Sequence, residues 1–159
     1  MEEEKKKIKL GPDQALVKAR SYCVYQERCH QEVRDKLYSW GLWPEAVENI
    51  IIKLIEENFI NEERFAKAYA GGKFRITGWG KTKIKLALKQ KKISDYCIRV
   101  ALNEINDKDY QQALKKLIGH RTKEITEKNP LKKNYKIASY VISRGFEPEL
   151  VWGIINEDK

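Results

Sequence analysis

Long apolar runs are missing from this sequence. Nothing in it approaches the roughly 18 consecutive apolar residues that a membrane-crossing helix needs, so no membrane partner is expected. Cysteine is scarce: Cys23, Cys29 and Cys97 are odd in number and fall at helical spacing, which points to reduced thiols in a cytoplasmic protein rather than a disulfide framework. Sustained two-residue alternation is absent, so no sheet is expected. There is no nucleophile–base–orienter set, no recognisable carboxylate pair and no Walker-type phosphate loop, and the chain is therefore read as non-enzymatic and free of cofactors. Cys23, Cys29 and His30 lack a fourth ligand at useful spacing, so no metal is expected. The opening residues Met1–Lys7 carry charges of both signs and no apolar segment, reading as part of a flexible charged tail over 1–11 rather than a secretion signal.

What is present supports a folded helical protein. Of 159 residues 42% are hydrophobic and 35% charged, enough for a core beneath a heavily solvated surface. Basic residues exceed acidic ones by nine overall, and the excess is uneven. Between Gly71 and Val100 nine Lys or Arg residues face one acid, Asp95. A further ten against three lie in 108–144, whereas 1–62 and 145–159 are net acidic. Charge concentrated in this way favours a polyanion or an acidic protein surface as partner.

The architecture is legible as an internal repeat. Three stretches align: Leu37–Val47, Leu88–Ile98 and Val141–Val151. Each reads as the end of one helix, a turn, an apolar residue and the start of the next helix. Gly41, Lys92 and Gly145 align, 51 and 53 residues apart. The two glycines stand where a left-handed residue closes a helix. Pro44 and Pro148 stand in the first turn of the next helix, and Ser94 takes the N-cap place in the middle copy. Apolar residues at helical spacing divide each copy into three short helices. Among the expected core faces are Phe65, Ala68 and Tyr69 in the second copy, and Leu131, Tyr135, Ala138 and Ile142 in the third. The predicted fold is all-α: three tandem three-helix, helix-turn-helix-like repeats at 12–58, 59–106 and 107–159, forming an elongated, curved array. Each unit is expected to be held by its own small core.

The middle copy carries the candidate site. Lys81, Lys85, Lys89 and Lys92 recur at steps of four, four and three along one helical face, with Ile84 and Leu88 on the other. Phe74, Trp79 and Tyr96 interleave with the cations. Lys73, Arg75, Trp79, Lys81, Lys83, Lys85, Lys89 and Lys92 are the candidate partner- or nucleic-acid-binding residues. The turn Thr77–Lys81 reads as a flexible connection with Trp79 exposed or docked, and Trp40 and Trp43 as packing residues. Glu62, Glu63 and Arg64 are expected to cap and pair within the second unit.

These residues also carry a family resemblance. Asn58-Phe-Ile-Asn-Glu-Glu-Arg-Phe-Ala-Lys-Ala-Tyr69 resembles the G-Y-L-D-D-x-R-F-A-x-x-Y signature of the RecX family of recombinase regulators. Gly80-Lys-Thr-Lys-Ile84, with Leu88 and Ile93, resembles that family's G-x-x-[RK]-I-x-x-E-L-x-x-K-G-I. The sequence departs from the pattern at Asn58 and Lys92, where the family has Gly, and at Ala87, where it has Glu. The resemblance implies a non-enzymatic modulator of the RecA recombinase that binds the RecA–DNA filament and limits its growth; the chain itself is expected to be a monomer. Single- or double-stranded DNA would be bound weakly and without sequence preference. A freestanding DNA-binding protein is the alternative, but its recognition face should offer Arg, Asn or Gln to base edges. This face is almost entirely Lys.

Overall fold

The computed structural model describes residues 9–157. Among them lie nine α-helices and one π-helical turn, grouped in threes. The first unit holds α1 (Pro12–Tyr25), α2 (His30–Ser39) and α3 (Pro44–Glu56). The second holds α4 (Glu62–Gly72), the π turn Lys73–Thr77, α5 (Lys81–Gln90) and α6 (Asp95–Asn103). The third holds α7 (Asp107–Glu124), α8 (Pro130–Ser143) and α9 (Pro148–Glu157). Residues 1–8 of the expected tail lie outside the described residues. Leu10, within it, donates its N–H to the Trp40 carbonyl at 3.0 Å and packs on the first core.

Local chemistry explains the boundaries. Pro12, Pro44 and Pro130 open their helices, where a missing N–H leaves nothing unsatisfied. Asn61, Ser94, Asn106 and Asn129 accept first-turn N–H groups through their side chains. The second helix of each unit ends alike, on a left-handed residue: Gly41 at φ 85°, Lys92 at 61° and Gly145 at 102°. Their N–H groups return to Tyr38, Lys89 and Ile142 carbonyls at 3.0, 3.0 and 2.9 Å. The expected C-terminal turn is thus present in all three copies.

Packing differs from expectation in two respects. The first unit has its own core, built on Ala15, Val33, Leu37, Val47 and Leu54. The second and third share one continuous core, from Phe65 and Leu88 to Leu114, Phe146 and Val151, into which Cys29 of the first unit also reaches. The reason is the aromatic contact between units, which no single-copy pattern encodes: the Tyr110 ring lies 5.7 Å from Phe74 and 5.2 Å from Phe146. Burying a side chain of this size contributes about 1.5–3 kcal/mol.

The second difference is which helical faces turn inward. In α4 the buried partners of Phe65 are Ala66 and Ala70, while Ala68 is exposed and Tyr69 half-buried. In α8 Ile137, Ala138 and Val141 are buried, whereas Leu131 and Tyr135 are 73% and 67% exposed. Trp40 packs against the first core, but Trp43 is largely exposed.

Candidate partner and nucleic-acid interface

The α5 helix is aimed by its first turn. Gly80 N–H donates to Arg144 O at 3.0 Å and Thr82 N–H to Gly145 O at 2.9 Å. Lys81 N–H donates to the Tyr110 hydroxyl at 3.0 Å. The Tyr110 hydroxyl in turn donates to the Glu147 carboxylate. Burial first, then the facing Glu147, push the Tyr110 pKa well above its ordinary 10.0, so the group stays a donor. The Thr77–Lys81 turn is therefore a docked joint between units rather than a flexible connection. Its N–H groups are already engaged, which leaves no phosphate cradle at this helix start.

The candidate cations fall into separate places. Lys81, Lys85 and Lys89 line a groove of about 380 Å³ between α5 and α6, with Arg99, Ile98, Leu102 and Asp95. Ile84 and Leu88 follow Lys81 and Lys85 by three residues, so the stripe borders their buried edge rather than opposing it. Lys81 Nζ lies 4.9 Å from the Tyr110 ring centre and 3.8 Å from Asp107. Lys85 and Lys89 are exposed and make no ion pair among the described residues.

Lys73 and Lys83 are elsewhere, with Nζ atoms each 4.7 Å from the Trp79 ring centre. Trp79 is half-buried between them. Such contacts are worth about 0.5–1 kcal/mol at exposed positions. Arg75 folds back so that its guanidinium occupies the space a side chain at Gly71 would need. Lys92 is exposed but closes a turn. Arg99 belongs with the groove trio although helical spacing missed it, since it stands on the next helix.

Glu62, Glu63 and Arg64 also diverge. Glu63 pairs within its unit with Lys67, at 3.3 Å. Glu62 meets His30 at 3.2 Å and Arg64 meets Glu27 at 2.6 Å, both across to the first unit. They are joint residues, because the start of α4 faces the start of α2. Among the described residues no cluster of three or more His, Cys, Asp or Glu could hold a metal. No described helix is long and apolar enough to cross a membrane.

Four cations around one carboxylate, on an apolar floor, suit an extended anionic surface. Together the fold and groove define a helical-repeat protein with a basic central unit. Residues 61–102 match the family model described as RecX, second three-helix domain. Regulatory protein RecX of Lactobacillus johnsonii is 32% identical over 139 residues, covering 86% of this chain and 50% of that protein. Its counterpart from Clostridium tetani is 31% identical over 132 residues, covering 82% and 60%. The crystal structure of RecX from Lactobacillus salivarius matches with a TM-score of 0.83 at 28% identity, covering 92% of this chain and 95% of that one. This chain belongs to the RecX family. It spans about half the length of the Lactobacillus johnsonii relative.

Proposed function

We propose that the chain is a non-enzymatic, monomeric regulator of the RecA recombinase in the cytoplasm. It binds the RecA–DNA filament through the basic α5–α6 groove and limits the filament's growth or activity. The observation that carries this reading is the cluster of Lys81, Lys85, Lys89 and Arg99 on adjoining helices, with Asp95 as the one carboxylate lining the groove. Such a cluster attracts phosphates or acidic side chains, and its contacts weaken with salt. Several small helical units joined in one chain can touch more than one filament subunit, so modest contacts add through effective concentration.

The test is the triple reversal Lys81→Glu, Lys85→Glu, Lys89→Glu. Its helical circular dichroism should be unchanged while inhibition of RecA-driven strand exchange and ATP hydrolysis falls at least tenfold. Full inhibition by the folded variant refutes the groove as the contact. Tight binding to one duplex sequence without RecA would favour the freestanding DNA-binding reading instead.

A further inference from the structure

The third unit holds a cavity apart from the α5–α6 groove and from both joints. It measures about 450 Å³ and opens between the end of α7, the linker 125–129 and the start of α8, with Ile155 of α9 on its wall. Its floor is apolar: Ile118, Ile137 and Ile155 are 6%, 3% and 6% exposed. Ile118 and Thr122 also line a neighbouring recess with Ile154, so the apolar floor continues along α7 past the first cavity. The mouth is polar. Lys128 is exposed there and Lys133 half-buried, and neither makes an ion pair among the described residues. The half-buried Asn134 side-chain amide has no hydrogen-bond partner among the described residues either.

Glu127 is the one carboxylate lining the cavity, and it is already engaged. Its oxygens accept from Lys136 Nζ at 3.0 Å and from the Asn129 N–H at 3.3 Å. These contacts, Lys136 first, hold the Glu127 carboxyl below its ordinary pKa, so it stays ionised and paired. The first-turn N–H groups of Leu131 and Lys132 are taken by the Asn129 side chain at 3.0 and 3.2 Å, so the start of α8 offers no anion site of its own. That cap and the Glu127–Lys136 pair fix the linker, and the mouth is held in shape before anything binds.

An apolar floor that runs on in one direction, with two uncommitted ammonium groups and an unpartnered amide at one end, matches a linear chain with an anionic head. We propose that this cavity binds a medium-chain aliphatic carboxylate. The alkyl chain lies over Ile118, Ile137 and Ile155 and extends towards Ile154. The carboxylate meets Lys128 and Lys133 and accepts from the Asn134 amide. Inorganic phosphate would share the head contacts but bury no apolar surface, and a neutral alcohol would gain the floor alone. The site is on the third unit, and the proposal does not rest on the filament reading.

The test is a nuclear magnetic resonance titration of the full chain, labelled at its isoleucine methyl groups, with hexanoate, octanoate and decanoate. The Ile118, Ile137 and Ile155 signals should shift together, while those of Ile50 and Ile51 in the first core stay in place. Affinity should rise about fourfold per added methylene. Hexanol should bind roughly tenfold more weakly than hexanoate, for want of the charged head. Lys128→Gln with Lys133→Gln should weaken octanoate roughly tenfold, lower its salt dependence and leave hexanol unchanged. Asn134→Trp, which fills the mouth, should abolish binding of both. Thermal midpoints equal to the parent's show that the variants are folded, and the surface lysine pair decides the case should the tryptophan variant fail to fold. Three results overturn the proposal: no shift at the three isoleucines, an affinity indifferent to chain length, or equal octanoate affinity in the lysine variant. Inorganic phosphate binding as tightly as octanoate would overturn it in favour of a bare anion site. Retention on vesicles of phosphatidylcholine and phosphatidylglycerol through the same residues, with no competition from octanoate, would overturn it in favour of a lipid surface.

Discussion

Gly80 and Gly145 meet backbone to backbone. A Cβ added to Gly80 would come within 3.0 Å of the Gly145 carbonyl group and the Phe146 nitrogen, and one on Gly145 would press on Lys83. Neither neighbour is a flexible side-chain tip, so neither can step aside cheaply. Gly80→Ala should therefore destabilise the protein by about 1–3 kcal/mol, the usual cost of overpacking. Urea unfolding measures it, and a variant as stable as the parent would contradict the tight joint.

Lys92 makes the opposite case. It holds φ 61° where Gly41 and Gly145 stand in the other copies. A left-handed conformation costs a side-chain-bearing residue about 1–2 kcal/mol, and glycine's extra backbone entropy offsets about 0.5–1 kcal/mol of the relief. Lys92→Gly should raise stability by about 0.5–1 kcal/mol. Asn58→Gly, at φ 63°, should gain less. Asn tolerates this region, and its side-chain oxygen accepts from Arg64 at 3.2 Å. Thermal midpoints of the two variants check the order.

Alkaline pH should loosen the molecule in a defined window. Burial pushes the Cys29 thiol from its ordinary 9.0 to about 11, and burial with Glu147 raises Tyr110 above 10.0. Both groups keep their protons longer folded than unfolded. Their stabilising effect is full below pH 9.0 and is lost as pH rises towards about 11, where the unfolded chain has released protons that the folded one retains. The urea midpoint should fall across that window, and Cys29→Ala should flatten some of the fall. A midpoint constant through the window would contradict the burial of both groups.

Arg64 clasps the first joint. Its guanidinium donates to Glu27 at 2.6 Å and to the Asn58 and Phe59 carbonyls at 3.1 and 3.3 Å. The group is partly exposed, so Arg64→Ala should cost only about 1 kcal/mol. Its clearer sign should be faster proteolytic cleavage between Glu57 and Asn61, with α5 to α9 still protected. Unchanged cleavage would mean that the turn is held by its own backbone bonds.

The repeat was readable because its signals are local: Pro44 and Pro148 at helix starts, Ser94 as a cap, Gly41 and Gly145 at turns. Each acts within a few residues of where it stands in the sequence. The joint was not readable, because Gly80 acquires its meaning only from Gly145, which lies far along the chain. The lysine stripe was found by periodicity, but its neighbours were not. Arg99 joins it from another helix, while Lys83, two residues after Lys81, points to Trp79. Leu131 and Tyr135 kept a core-like spacing on a face the core does not use, and spacing alone carries no record of which face is covered.

The continuous core linking α4 to α9 has a consequence for how such a chain can be edited. The sequence repeats three times, but the apolar interior does so only twice, in portions of unequal size. Cutting the chain after α6 would strip Phe74 of the Tyr110 ring and leave a fragment with an open side. A cut or an insertion just after Asn61 would leave Ile60 with the first core and break mainly the Cys29 and Arg64 contacts, so each piece keeps most of its interior. Modularity therefore has a preferred seam, and lengthening or shortening the array is tolerated at that seam rather than at every repeat boundary.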